Sequence, residues 1–184
     1  VDIMYQGTGE VTFTNNIIHD NNAYNDFGGV YVSYGKLKIT NNTITGNTAT
    51  NRGGGLSVLL SYVQSVTPHA LYNNAFWSNA STEGYDLWIN NDNNNDYMAR
   101  PITIIANNFD QTYITGYWTK LPITIDPSNL NKIDPLFVDI DNGDLHLEPG
   151  SPMIDAGYPG TPDIPEFDVE GTPRVMGESV DIGA

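Results

Sequence analysis

Three groups of side chains in this sequence have the types and spacing for chemistry. Tyr31, Ser57 and Trp88 fall at matching places in successive short apolar stretches, with Asn90 nearby. Aromatic rings stack on the C–H faces of sugars, while hydroxyl and amide groups bind sugar hydroxyls. A carbohydrate-binding face is expected there; the plainer alternative is that nearby loops simply lie over these side chains. Asp139, Asp141 and Asp144, with Asn142 around Gly143, put several oxygen donors into one turn, as Ca2+ requires. Their spacing is too short for an EF-hand and no glutamate closes the set. Asp and Asn beside Gly also make ordinary turns. His19 and Asp20 are adjacent and suited to proton transfer, but Thr45, Trp77 and Gln111 stand at the places equivalent to His19. His69 and His146 have no partner visible along the chain. The polar run from Asp92 to Asp96 reads as a solvated loop.

Composition excludes several partners. Twenty-two acidic against seven basic residues give a net charge of −15. Nucleic-acid binding needs clustered Lys and Arg to neutralise phosphates, so no nucleic acid is expected. An anionic membrane surface is disfavoured for the same reason. There is no cysteine, which removes disulfides, thiolate metal sites and a cysteine nucleophile. No apolar run reaches membrane-spanning length, so no transmembrane segment is expected. Charged residues are only 16% of the chain, whereas a helical bundle needs long charged side chains on its wet face.

The elements that must position these residues come from a repeat. Four segments align on an Asn pair, at Asn15/Asn16, Asn41/Asn42, Asn73/Asn74 and Asn107/Asn108, and the first three close on Asn21, Asn47 and Asn79. Residues 28–34, 54–60 and 85–91 then align as a further strand of each unit. Each strand is too short to bury a face alone, so the units must stack into a continuous core. Period-two alternation assigns the inward columns. They are Phe13, Ile39, Leu71 and Ile105 before the corner, and Ile18, Ile44 and Phe76 after it. Val30, Leu56 and Leu87, with Val32, Val58 and Ile89, form two more on the third strand. Asn at the corners tolerates left-handed backbone and can bond to its copy one unit away.

The Asn-Asn-Thr-Ile-Thr-Gly-Asn stretch at 41–47 and Gly-Gly-Gly-Leu-Ser-Val at 53–58 resemble repeats of right-handed parallel β-helix proteins, of the pectate-lyase-like and polymorphic-outer-membrane types. The resemblance implies an all-β solenoid over residues 1–125 and a Pro/Gly-rich capping module over 126–184. That tail is similar to the closing segment of bacterial exported, surface-anchored β-helix proteins. It implies a secreted or cell-surface protein, bacterial or archaeal, with a polysaccharide or glycan as partner. The chain begins in strand-like sequence, so further coils upstream are expected, and the tail is expected to cover the open end of the stack.

Whether the chain is an enzyme stays open at this point. Polysaccharide lyases of this fold typically use a Lys or Arg base, and among Lys36, Lys38, Arg52, Arg100, Lys120, Lys132 and Arg174 only Lys38 can be placed facing outward on a repeat strand. A glycoside hydrolase needs two carboxylates at a fixed separation, and no such pair is evident. The reading is a carbohydrate-facing extracellular protein, glycan-binding or the rear part of a polysaccharide-degrading enzyme. The alternative is a structural or adhesive cell-surface solenoid.

Overall fold

A computed structural model describes residues 2–4, 10–33, 36–60, 69–91, 101–110 and 123–184. Among these the protein is all-β, with one short 3-10 turn at Ile140–Asn142. Three parallel sheets carry the repeat. Sheet I stacks Glu10–Thr14, Lys36–Thr40, His69–Tyr72, Ile102–Ile105 and Ile123–Ile125. Sheet II stacks Ile17–His19, Thr43–Thr45, Ala75–Trp77, Asn108–Phe109 and Leu130–Asn131. Sheet III stacks Asp2–Met4, Val30–Ser33, Leu56–Leu60 and Leu87–Asn91. The chain passes from sheet I to II to III, then returns to I beside the strand it left.

Alternation fills the space between the sheets. Val30, Val32, Leu37, Ile39, Ile44, Leu56, Val58, Leu71, Phe76, Leu87, Ile89, Ile104 and Phe109 form one buried cluster. Those columns follow the sequence pattern in the first three units. The fourth does not follow the expected register: Leu71 pairs with Ile104, not Ile105. The left-handed corner, held by Asn15, Asn41 and Asn73 at φ 63°, 52° and 55°, falls in the fourth unit on Ala106 at 52°. A second consecutive Asn therefore marks a different place there, and a one-residue slip exchanges the two faces of a strand.

The second asparagine of each early pair points inward and builds a ladder. The backbone N–H of Asn16 donates to Asn42 Oδ1 at 3.0 Å, Asn42 to Asn74 at 3.0 Å, Asn74 to Asn107 at 2.9 Å and Asn107 to Asn129 at 2.8 Å. Each side-chain amide repeats the same step at 2.8–3.1 Å. Asn129 is a fifth rung, and Leu130–Asn131 pairs in sheet II, so the stack runs past the expected boundary at 125. A second ladder climbs from Asn21 to Asn47 to Asn79. It ends on Asp86, whose carboxylate accepts from Asn79 Nδ2 at 2.9 Å and from Asp110 N at 2.7 Å.

The C-terminal module does not lie across the end of the stack as expected. It runs back along its side, over the outward-pointing first asparagines. Asn73 Nδ2 donates to Tyr158 O and Thr161 Oγ1, Asn41 Nδ2 to Asp181 O and Gly183 O, and Asn15 Nδ2 to Phe167 O. Arg174 reaches Asn15 Oδ1, and Asp163 pairs with Lys38. Met153 and Ile182 pack on Ala75 beneath Leu130, Leu147 and Ala156. The outward amides of the corner thus become the anchorage of the tail, which takes up their Nδ2 donors.

Candidate functional site

Tyr31, Ser57 and Trp88 stand in register on sheet III, facing away from the core. The open aromatic platform expected there is absent: Trp88 is 3% exposed and Ser57 0%, with Tyr31 and Asn90 half-buried. The cause is local backbone geometry. The turn leading into each strand passes through a left-handed residue, Phe27 at φ 67°, Gly53 at 65° and Gly84 at 67°, and folds back over the side chain four positions on. A Cβ at Gly53 would meet Ser57 Oγ at 1.7 Å, and one at Gly84 would meet Trp88 Cβ at 2.8 Å. Phe27 lies flat on Tyr31, centroids 4.1 Å apart and planes 5° off parallel, and 5.6 Å from the Trp88 ring. Arg52 covers Trp88 at 5.6 Å and pairs with Asp26 at 3.3 Å.

The acidic turn is also built differently from expectation. Asp139 caps the 3-10 turn, accepting from Asn142 N at 3.3 Å and from its Nδ2 at 2.7 Å. Asp144 Oδ1 accepts from His146 N at 3.1 Å and meets His146 Nδ1 at 2.5 Å. Asp139 and Asp144 face each other across the hairpin, but among the described residues no three His, Cys, Asp or Glu gather as a cation site would need. Asp139 and Asp144 accept from donors within their own turn, so the calcium expectation is not carried forward. The run 92–96, with Arg100 and Lys120, lies outside the described residues.

What the tertiary structure assembles instead is a groove of about 850 Å³ between the tail and sheet II. Ile17 and Thr43 contribute from the coils, and Leu145, Ile154, Val169 and Met176 add apolar walls. Five carboxylates line it, Asp144, Asp155, Asp168, Glu170 and Asp181, with His146 and Arg174. His146 bridges the antiparallel hairpin of Phe137–Asp139 and Asp144–Leu147 to the 168–172 turn, its Nε2 2.9 Å from Glu170 Oε2. Hydrogen bonds to Asp144 and then to Glu170 push the His146 pKa up, and the same contact holds Asp144 below the usual carboxylate range. Burial raises Asp181, whose Oδ1 accepts from Asp155 N at 2.7 Å. Arg174 binds Gly183 O at 3.0 Å and Asn15 Oδ1, and burial lowers its pKa.

The described cations are committed to partners. Lys36 pairs with Glu10, Lys38 with Asp163, Arg52 with Asp26 and Lys132 with Asp110. Lys38, expected to face solvent, is buried beneath the tail. His19 and Asp20 do pair at 2.8 Å on the surface, while His69 is buried, its Nδ1 accepting from Leu37 N at 3.1 Å. The partners of His146 escaped sequence reasoning because Glu170 lies 24 residues on, inside a turn with no repeat to align it.

No family model matches the chain, and neither a curated protein nor a solved structure is significantly similar to it. The likeness to β-helix repeats therefore stands on the repeat itself and on the stacked parallel sheets. Among the described residues no helix is long and apolar enough to cross a membrane.

Proposed function

We infer that this chain is a stretch of right-handed parallel β-helix from a secreted or cell-surface protein of a bacterium or archaeon, and that it binds a neutral glycan in the groove beside its C-terminal module. The observation that carries the reading is the groove itself, where carboxylates from Asp144, Asp155, Asp168, Glu170 and Asp181 alternate with apolar walls. Carboxylates accept hydrogen bonds from neighbouring sugar hydroxyls, and apolar side chains receive the C–H faces. A uronate polymer is the wrong ligand, because these acids would repel it and the described lysines and arginines are already engaged. For the same reason the reading is of binding rather than of lyase chemistry.

The alternative, a structural or adhesive solenoid, is favoured by the closed outer face of sheet III and the continuous Asn ladder. A panel of neutral and acidic polysaccharides separates the two. Binding to neutral glycans that drops about tenfold in Glu170→Ala, equivalent to about 1.4 kcal/mol, supports the groove. A chain that binds nothing on the panel returns the weight to the solenoid.

A further inference from the structure

Phe27 occupies a position where the chain has reason to place glycine. The two equivalent residues in the next coils are Gly53 and Gly84, all three share φ near 65°, and a bulky side chain is strained in that region. Strain of this kind persists where the surroundings over-determine it, often at ligand clamps. Here the surroundings are two aromatic rings. Phe27 fills the space between Tyr31 below and Trp88 above, a gap that exists because the intervening residue on the strand is the small Ser57.

The floor of that space is polar and unused. Ser57 Oγ, fully buried, and Asp26 Oδ1 find no hydrogen-bond partner. A buried hydroxyl or carboxylate oxygen left without a partner destabilises the fold, so packing alone is a poor reason to keep them. The Phe27 ring stands close by, its Cδ1 3.4 Å from where a Gly53 Cβ would be, and Ser57 Oγ lies 1.7 Å from that same point. Arg52 adds a guanidinium at the rim, held between Asp26 and the Trp88 face.

The geometry points to a self-occupied ring-binding slot: Phe27 is a plug that a pyranose ring displaces, stacking on Tyr31 and Trp88 while Ser57 Oγ and Asp26 bind its hydroxyls. The ligand class rests on the carbohydrate-facing reading above; the slot itself rests on the strain, the stacked rings and the orphaned oxygens. It lies on sheet III, and the groove beside the tail is lined from sheet II and the tail itself, so the two bind separately. Closure by Phe27 lowers the apparent affinity by the fraction of open molecules. Removing the plug raises it.

The test uses the whole chain and its Phe27→Gly variant, which installs the residue the neighbouring coils carry at this conformation. Cellohexaose, laminarihexaose and mannohexaose are the probes, titrated by calorimetry and by tryptophan fluorescence. Phe27→Gly is expected to keep the wild-type circular dichroism spectrum and to bind at least one probe about tenfold more tightly than wild type. The fluorescence change should disappear with Trp88→Phe, and Ser57→Ala in the Phe27→Gly background should weaken binding several-fold. A folded Phe27→Gly that gains no binding to any probe overturns the slot, as does a gain that survives Trp88→Ala. Binding in wild type lost with Glu170→Ala, but no gain with Phe27→Gly, overturns the slot and leaves the groove standing. A gain with Phe27→Gly that is lost with Trp88→Ala, and no effect of Glu170→Ala, does the reverse.

Discussion

The corner between sheets I and II and the turn into sheet III are built from the same repeat yet solve the same problem differently. At the corner every unit needs one left-handed residue followed by an inward amide, and Asn15–Asn16, Asn41–Asn42 and Asn73–Asn74 supply both. The inward amides donate and accept up the stack, and the outward ones hold the tail. At the turn into sheet III the left-handed residue is Phe27, then Gly53, then Gly84, and the side chain beneath it is Tyr31, Ser57 or Trp88. There the polar atoms Ser57 Oγ and Asp26 Oδ1 are left over. Thr40 Oγ1 and Asn41 Oδ1 at the corner also lack partners, but only the sheet III turn puts a bulky side chain, Phe27, into the left-handed region.

That contrast can be broken most severely at the ladder. Asn74 Oδ1 accepts from both the backbone and the side-chain amide of Asn42, and its own Nδ2 donates to Ile39 O and Asn107 Oδ1. Asn74→Ala strands several buried groups at once and should cost about 3–5 kcal/mol, measured by urea unfolding. Loss of less than about 1 kcal/mol would show that the corner is no more committed than the sheet III turn.

A smaller effect is expected where the second ladder stops. Asp86 is buried and must accept on both sides, from Asn79 and from Asp110 N. In Asp86→Asn the amide turns one donor against another, and a loss of about 1 kcal/mol at neutral pH is expected. Burial raises the Asp86 pKa above 3.8. The folded state therefore holds its proton to higher pH than the unfolded chain does, and this group removes stability as pH rises from 3.8 through the folded value. Asp86→Asn should flatten that part of the pH–stability curve.

The smallest effect belongs to the rim of the groove. His146 has a folded pKa above 6.5, from Asp144 and Glu170. Its contribution is whole below pH 6.5 and fades as pH climbs through the folded value. All three groups are exposed to solvent, so the expected result is a local one. Amide protection in the 168–172 turn, taken relative to the intrinsic exchange rate at each pH, should fall above that pH, and His146→Gln should make the protection independent of pH. Protection that does not change with pH in the wild-type chain would remove His146 as the link between hairpin and turn.

Much of this architecture is readable in the sequence, and the reason is repetition. Val30, Leu56 and Leu87 recur at one place, two residues before Val32, Val58 and Ile89, so a single alternation identifies these buried positions. The same logic does not hold at Ile105, because the Asn-Asn pair stands at 107–108 while Ala106 holds the corner. Left-handed backbone is imposed by stacking, and any residue that stacking can hold there will serve. The openness expected of the Tyr31–Trp88 face was lost for a related reason. Outward direction follows from alternation, but cover depends on the turn four residues earlier, and only its backbone angle reveals that Gly84 lies against Trp88.

By itself the sequence determined the stack: short strands with period two, Asn at the corners, an acidic surface without cysteine. These are local or nearest-unit interactions, and each unit presents them again. The tertiary structure alone decided the path of the tail, the groove it encloses and the closing of the sheet III face. Arg174 meets Asn15 and His146 meets Glu170 across 159 and 24 residues, contacts set by where a non-repeating segment packs. Such contacts have no periodic pattern to announce them, since their partners are chosen by burial and shape rather than by spacing along the chain.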